Sequence, residues 1–366
     1  MERGDYMKEM ILFYGKPFIS FSTNDAHLFC LSKINSLQEN IFCLNALDLG
    51  YSITKTKYGL IYDCYLRIKQ ENVINHIEIE KEIMGGVEAF SEFLLKVLSE
   101  KKYLILDLDV SKISNYECDK SVAIHSPLVI GINIEEQKIL LGDFFDFKHY
   151  DVQWATLQEV YEGYRIIGEY ITNFSRDGDD EWIRKTSLIQ PNDSKLKYNI
   201  GEIISNIQEY LEPPIIEFTS KQTSSFHLVS NRIQRIQDAT EITELLEVGS
   251  GINIYNYLRN HIKAEFEQGE YRIVQSASLL VSHFKILRKS LLFLNENNHL
   301  NFAFLNSVDK MIKYSSYLEV CFLKNYVKRL SKNNIDEYLH LIDLIESSER
   351  TFLNEVLTIL KENSEV

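Results

Sequence analysis

Residues 125–147 read "HSPLVIGINIEEQKILLGDFFDF", and this stretch decides the fold of the N-terminal half. Two apolar runs flank the polar residues 135–138, a pattern that predicts a β-hairpin. In an antiparallel hairpin the start of the first strand lies beside the end of the second. We therefore expect His125 to lie close to Asp143 and Asp146. A histidine beside a carboxylate is the orienting half of a nucleophilic triad, because the carboxylate fixes the tautomer and stabilises the imidazolium.

The remaining part of such a triad is a thiol or hydroxyl at a helix N-terminus, where the macrodipole stabilises a thiolate. Residues 21–34, "FSTNDAHLFCLSKI", predict a helix from about Asn24, since good capping residues precede an apolar run. The nearest thiol is Cys30, which lies inside that run, and we interpret it as an inert core cysteine. We interpret His27 as a solvent-facing residue of the first turn.

The segments around the hairpin mix helices and strands. Residues 85–102 and 155–174 carry apolar positions at helical spacing, and residues 103–110 form an apolar run typical of a central strand. Residues 182–190 lie between two loop signals and predict a last strand that returns to the same domain. Helices interleaved with a hairpin indicate an α+β domain over residues 1–192.

After residue 193 the pattern changes to helical periodicity, with breaks at Pro213, Gly249, Gly269 and Asn297. We therefore expect an all-helical bundle domain over residues 193–366. We interpret the local basic clusters in this half first as solvated faces and alternatively as docking sites for an acidic partner. They are Arg232 with Arg235, Lys285 with Arg288 and Lys289, and Lys324 with Lys328 and Arg329.

Composition excludes several classes of function. The 39 basic and 53 acidic residues give a net charge of −14, which argues against nucleic-acid and membrane-surface binding. The apolar stretch near the start is too short and broken for a spanning helix or signal peptide, so we expect a cytoplasmic protein. Five scattered cysteines and nine histidines lack metal-ligand spacing, and no phosphate-binding glycine motif is present, so we expect no metal and no bound cofactor.

The order of parts resembles that of papain-like cysteine enzymes: an early helix tip, a histidine opening one strand and an aspartate closing the next. The local sequence pattern is similar to that of the peptidase C39-like group in three segments: "LILDLDVSKI", "HSPLVIGINIEEQKILLGDFFDF" and "WATLQEVYEGY". It is most similar to the butirosin biosynthesis protein H type, which pairs such a domain with a helical C-terminal domain. The resemblance covers residues 14 to about 175 in pattern, whereas the helical half matches only in kind.

The resemblance implies a Cys-His-Asp triad that moves an acyl group from the phosphopantetheine thioester of an acyl or peptidyl carrier protein to a small amine. In this sequence the histidine is His125 and the carboxylate is Asp143, with Asp146 as a substitute. The cysteine position falls on Ala26, which has no nucleophile. The backbone N–H at that position would hold the oxyanion, with Ser20 or Ser22 as the second donor, and Asn24 precedes the helix tip.

Three readings therefore remain open. The chain is an acyltransferase or amide synthase of antibiotic-type specialised metabolism whose nucleophile is replaced by Ala26, or a cysteine hydrolase (a peptidase or thioesterase) with the same triad. Alternatively, alanine is the natural residue and the chain is a non-catalytic pseudoenzyme. The sequence leaves the acyl group, the acceptor and the oligomeric state undetermined.

Overall fold

The computed structural model describes fourteen stretches of the chain: residues 9–17, 23–33, 36–56, 59–68, 74–79, 86–118, 123–146, 149–174, 186–191, 198–213, 242–268, 273–300, 303–328 and 335–364. The chain forms two compact units. The first comprises Met1–Asn35 with Gln70–Lys195, and the second comprises Ser36–Lys69 with Leu196–Val366. The predicted boundary after residue 192 lies near the change of unit at 195, but the prediction did not place residues 36–69 with the C-terminal half.

The described strands run in chain order as β1 (Glu9–Ile11), β2 (Asp48–Thr56), β3 (Gly59–Arg67), β4 (Ile74–Ile79), β5 (Tyr103–Ile105), β6 (Leu108–Asp109), β7 (Ile124–His125), β8 (Leu128–Asn133), β9 (Lys138–Asp143), β10 (Asp151–Thr156), β11 (Thr186–Pro191) and β12 (Ile242–Ser250). The described helices are α1 (Thr23–Ser32), α2 (Ser36–Leu44), α3 (Gly86–Ser99), α4 (Leu157–Phe174), α5 (Ile200–Leu211), α6 (Ile254–Gln268), α7 (Ile273–Glu296), α8 (Ala303–Lys328) and α9 (Ile335–Ser364). None of these helices is long and apolar enough to cross a lipid bilayer.

The first unit is built on a seven-stranded antiparallel sheet. Its order is β10-β9-β8-β5-β11-β4, and β1 pairs with the end of β8 that β5 leaves uncovered. The predicted hairpin is β8–β9, and the strand predicted at 182–190 is β11, which returns between β5 and β4. The predicted strand at 103–110 is broken into β5 and β6, and β6 pairs with β7 in a separate two-stranded ladder.

Helices α3 and α4 pack their apolar stripes onto this sheet. Phe90 and Leu94 of α3 and Val160 of α4 are fully buried in one core with residues from the hairpin strands. The spacing of three and four between the apolar residues puts them on one side of each helix, which is the reason the sequence predicts both elements. Helix α1 differs, because every residue from Asp25 to Ser32 is buried.

The second unit combines helices with a small sheet. Strands β2 and β3 form a hairpin, and β12 pairs antiparallel with β2 to give the order β12-β2-β3. Asp48 at the start of β2 links the ends of both neighbouring strands. Its carboxylate accepts from Arg67, the last residue of β3, at 2.7 Å and from the backbone N–H of Gly251, the residue after β12, at 3.1 Å. Helices α5 to α9 confirm the predicted helical character of the C-terminal region.

The expectation of an all-helical second domain is wrong in this respect. Strand β12 pairs with residues 50–56, which lie in the predicted first domain. The pairing is long-range, and the stretch 242–250 contains adjacent leucines that fit a helical pattern as well as a strand. The architecture is therefore mixed α and β with antiparallel sheets and a helical C-terminal region.

Candidate active site

His125 and Asp143 form a hydrogen-bonded pair at the mouth of the β8–β9 hairpin. His125 is the last residue of β7, and two residues separate it from β8. Asp143 is the last residue of β9. The Nδ1 atom of His125 lies 2.5 Å from Oδ2 of Asp143. The Asp143 side chain is fully buried, whereas 12% of the His125 side chain is exposed. Solvent therefore reaches the pair at the imidazole.

The other contacts of Asp143 define the proton positions. The hydroxyl of Tyr116 donates to Oδ2 at 2.5 Å, and the backbone N–H of Phe144 donates to Oδ1 at 2.8 Å. Because a carboxylate only accepts hydrogen bonds, Nδ1 of His125 carries a proton. In a triad this tautomer leaves Nε2 as the nitrogen that receives a proton from the nucleophile.

The pair also shifts both ionisation equilibria. Burial alone would raise the pKa of Asp143, but the charge of His125 and the hydrogen bonds to the carboxylate hold that pKa below its usual value. Burial alone would lower the pKa of His125, but attraction to Asp143 and their hydrogen bond raise it. The pair therefore holds a proton on His125 more strongly than a free imidazole would, and the imidazolium form would also stabilise a neighbouring thiolate.

The first turn of α1 lies beside this pair. Ala26 is the fourth residue of α1 and is fully buried. The next residue, His27, donates from Nε2 to the backbone carbonyl of Ser126 at 2.8 Å, and Ser126 directly follows His125. This hydrogen bond joins the His27 ring to the backbone next to His125.

The interpretation of His27 as solvent-facing is wrong. Its side chain is fully buried, and its Nδ1 accepts from the hydroxyl of Tyr150 at 2.8 Å. Burial lowers the pKa of His27 to about 4, although Asp143 acts in the opposite direction. The imidazole is therefore neutral near pH 7. The expectation failed because α1 is covered on all sides, so a polar residue in its first turn does not face water.

Two other candidates, Asp146 and Cys30, lie apart from the pair. Asp146 accepts from the backbone N–H of His149 at 2.7 Å and contacts its Nδ1 at 2.8 Å, so it forms a separate, exposed pair. Asn24 belongs to α1 but its side chain lies outside the described residues, as do all of Ser20 and Ser22. Cys30 is fully buried, and burial raises the pKa of its thiol to about 11, so it does not supply a thiolate.

Two tyrosines of the site were not found by sequence reasoning. Tyr116 bonds to Asp143, and Tyr150 bonds to His27, over separations along the chain of 27 and 123 residues. No motif in the sequence marks Tyr116. For Tyr150, the position just before the strand that pairs with β9 was a usable signal, because it places the residue beside the end of the hairpin.

The basic clusters of the helical half are partly neutralised. Arg288 donates to Asp309 at 2.7 Å, and Lys289 forms an ion pair with Glu39 at 2.5 Å, whereas Lys285 is exposed. These pairs favour the interpretation of this cluster as a solvated face. Of the other predicted cations, Lys324 is exposed on α8, and the side chains of the following residues lie outside the described part of the chain: Arg232, Arg235, Lys328 and Arg329.

No protein-family model matches this chain, and no curated protein sequence matches it. Within the described residues, no group of three or more histidine, cysteine or acidic side chains is arranged to hold a metal ion.

Proposed function

We propose that the first unit carries the base half of a papain-like acyl-transfer site in which position 26 is the place of the nucleophile. The observation that supports this most directly is the His125–Asp143 pair, with its buried carboxylate and its exposed imidazole edge beside the first turn of α1. The proposed enzyme class is an acyltransferase or amide synthase of specialised metabolism, and this part rests on the family resemblance.

In the proposed reaction a cysteine at position 26 gives its proton to Nε2 of His125, and the thiolate attacks the carbonyl of a carrier-protein thioester. The carrier thiolate leaves with that proton, and an acyl group remains on the enzyme sulfur. An amine then attacks the acyl carbonyl, an amide forms, and the enzyme thiol is regenerated. Backbone N–H groups of the first turn of α1 are the donors for the oxyanion.

With alanine at position 26, no acyl-enzyme forms. Asp143 remains the group that keeps the imidazole in the correct tautomer, but the base has no thiol to act on. Because Ala26 is fully buried, a sulfur added there would lie in a desolvated environment, where its pKa rises unless the neighbouring imidazolium stabilises the thiolate.

The test is the Ala26→Cys variant incubated with a short acyl-pantetheine thioester and followed by intact-protein mass spectrometry. We expect a mass increase of one acyl group on residue 26, located by peptide mapping, and no increase in the unchanged chain. Adding His125→Ala to this variant should abolish the labelling. An introduced thiol that stays unmodified, or reacts equally well without His125, would contradict the proposal. Products formed with and without an added amine then separate a transferase from a hydrolase.

A second candidate is a non-catalytic binding protein. One observation favours it: the position expected for the nucleophile holds a fully buried methyl group, and the nearest thiol, Cys30, has a pKa raised to about 11. This candidate expects the unchanged chain to bind the acyl-pantetheine thioester in isothermal titration calorimetry, and the Ala26→Cys variant to bind it without reacting. Failure to bind would reject this second candidate.

A further inference from the structure

His27 joins α1 to the strands that carry His125 and Asp143. Its Nε2–H donates to the carbonyl of Ser126 and its Nδ1 accepts from the hydroxyl of Tyr150, each at 2.8 Å. A carbonyl oxygen only accepts, so the tautomer is determined by Ser126. Both ring nitrogens are therefore used, and the fully buried ring has a defined orientation.

Tyr150 is itself held in place by the end of β9. Gly142 faces its hydroxyl so closely that a Cβ atom on residue 142 would lie 2.5 Å from the oxygen. The ring of Phe144 packs edge-on against the ring of Tyr150, with centroids 5.5 Å apart.

Ser126 is held from two sides. Its carbonyl accepts from His27, and its hydroxyl donates to Oδ1 of Asp107 at 2.6 Å. The backbone at residue 126 is thus tied to α1 and to the segment between β5 and β6. Because the peptide unit of Ser126 follows directly on His125, a shift of one moves the other.

These contacts share one property: each lies one residue away from a position of the proposed triad. His27 follows position 26, Ser126 follows His125, and Gly142 precedes Asp143. We infer that His27, through Ser126 and Tyr150, is a positioning residue that holds the three triad positions in register. This inference rests on the proposed function for its catalytic consequence, but its effect on the geometry of His125 is measurable without any catalysis.

The first experiment uses the chain with Ala26 unchanged. The proton between His125 and Asp143 should give a downfield NMR signal, identified by its loss in His125→Ala. We expect Tyr150→Phe and His27→Ala to move this signal upfield or remove it, while the overall amide spectrum shows a folded protein. Tyr150→Phe keeps the ring and removes only the donor, so it is the variant that remains informative if His27→Ala does not fold. The matched control is His149→Ala, a histidine in an exposed carboxylate pair, which should leave the signal unchanged.

The second experiment repeats these substitutions in the Ala26→Cys chain and measures acylation by acyl-pantetheine. Displacement of reacting groups by about 1 Å costs on the order of 100-fold in rate. We therefore expect Tyr150→Phe to lower the acylation rate at saturating donor by up to about 100-fold, with the half-saturating donor concentration unchanged. A loss confined to donor binding would contradict a positioning role.

The two experiments separate the two proposals. If the Ala26→Cys chain is not acylated but the His125 signal still responds to Tyr150→Phe, the acyl-transfer proposal fails and the positioning inference stands. If neither Tyr150→Phe nor His27→Ala changes the His125 signal, the positioning inference is overturned, whether or not the Ala26→Cys chain is acylated.

Discussion

The substitution Asp143→Asn tests the charge pair at the centre of the site. Both oxygens of Asp143 accept hydrogen bonds, Oδ2 from His125 and Tyr116 and Oδ1 from the backbone N–H of Phe144. An asparagine has one acceptor oxygen, so in either orientation its NH2 group, which only donates, must face groups that are themselves donors. Hydrogen bonds to a charged group contribute about 1.5–3 kcal/mol each, and removing one partner of a buried pair costs about 3–5 kcal/mol. We therefore expect the first unit to lose about 3–5 kcal/mol of unfolding free energy at slightly acidic pH.

The size of this loss should depend on pH in a defined direction. The pKa of His125 is raised in the folded state above its usual value of 6.5, so its contribution is complete below pH 6.5. That contribution is lost as the pH rises through the raised folded pKa. The pKa of Asp143 is lowered below 3.8, so its contribution is present above pH 3.8 and is lost as the pH falls through the lowered value. The difference between the two proteins should therefore be largest at about pH 5–6 and decrease in alkaline solution.

The measurement is equilibrium urea unfolding followed by tryptophan fluorescence at several pH values. Both tryptophans, Trp154 and Trp182, belong to the first unit, so fluorescence reports on that unit. The matched control is Asp146→Asn, which changes the same residue type beside a histidine in an exposed pair. Surface substitutions of this kind usually change stability by less than about 0.5 kcal/mol.

Two results would refute the reasoning. One is a difference between the unchanged protein and Asp143→Asn that is the same from pH 5 to pH 9. The other is a difference that increases in alkaline solution, since this would mean that the folded state holds His125 neutral rather than charged.

Three further predictions concern other buried groups. In the native protein Cys30 should stay unmodified by iodoacetamide at pH 8 and react only after unfolding, because burial raises its pKa to about 11; native labelling at the rate of an exposed thiol contradicts this. Replacing Glu349 by alanine should destabilise the second unit by about 3–5 kcal/mol in thermal melts followed by circular dichroism, since its buried carboxylate pairs with His283 at 2.7 Å; an unchanged melt contradicts this. Gly142→Ala should cost about 1–3 kcal/mol in urea unfolding, because the added methyl group displaces Tyr150, and a neutral effect would show that the ring has room to move.

The hairpin and the His125–Asp143 contact follow from local sequence. Two apolar runs around a short polar turn define both strands, and the turn then determines which residues lie opposite one another. Helices α3 and α4 were predictable for the same reason, since their apolar stripes repeat at three and four residues. Local sequence patterns were therefore sufficient to predict this part of the fold.

The pairing of β12 with β2 was not predictable in the same way. Its partners are separated by almost 200 residues, and no local pattern records which distant strand completes a hairpin. The contacts of Tyr116, Tyr150 and His27 are equally non-local. The sequence around His27 does not indicate whether water or a distant hydroxyl group forms the hydrogen bond to its side chain.

Residues 36–69 belong to the second unit, although segments of the first unit precede and follow them in the chain. This order has a consequence for synthesis on the ribosome. The hairpin of β2 and β3 emerges early but lacks its third strand until Ile242–Ser250 has been made. Strand β11 of the first sheet is complete at Pro191, so that sheet can close while the hairpin still exposes an open edge. A chain ended near residue 192 would keep this edge permanently, and an unpaired strand edge is a site of aggregation.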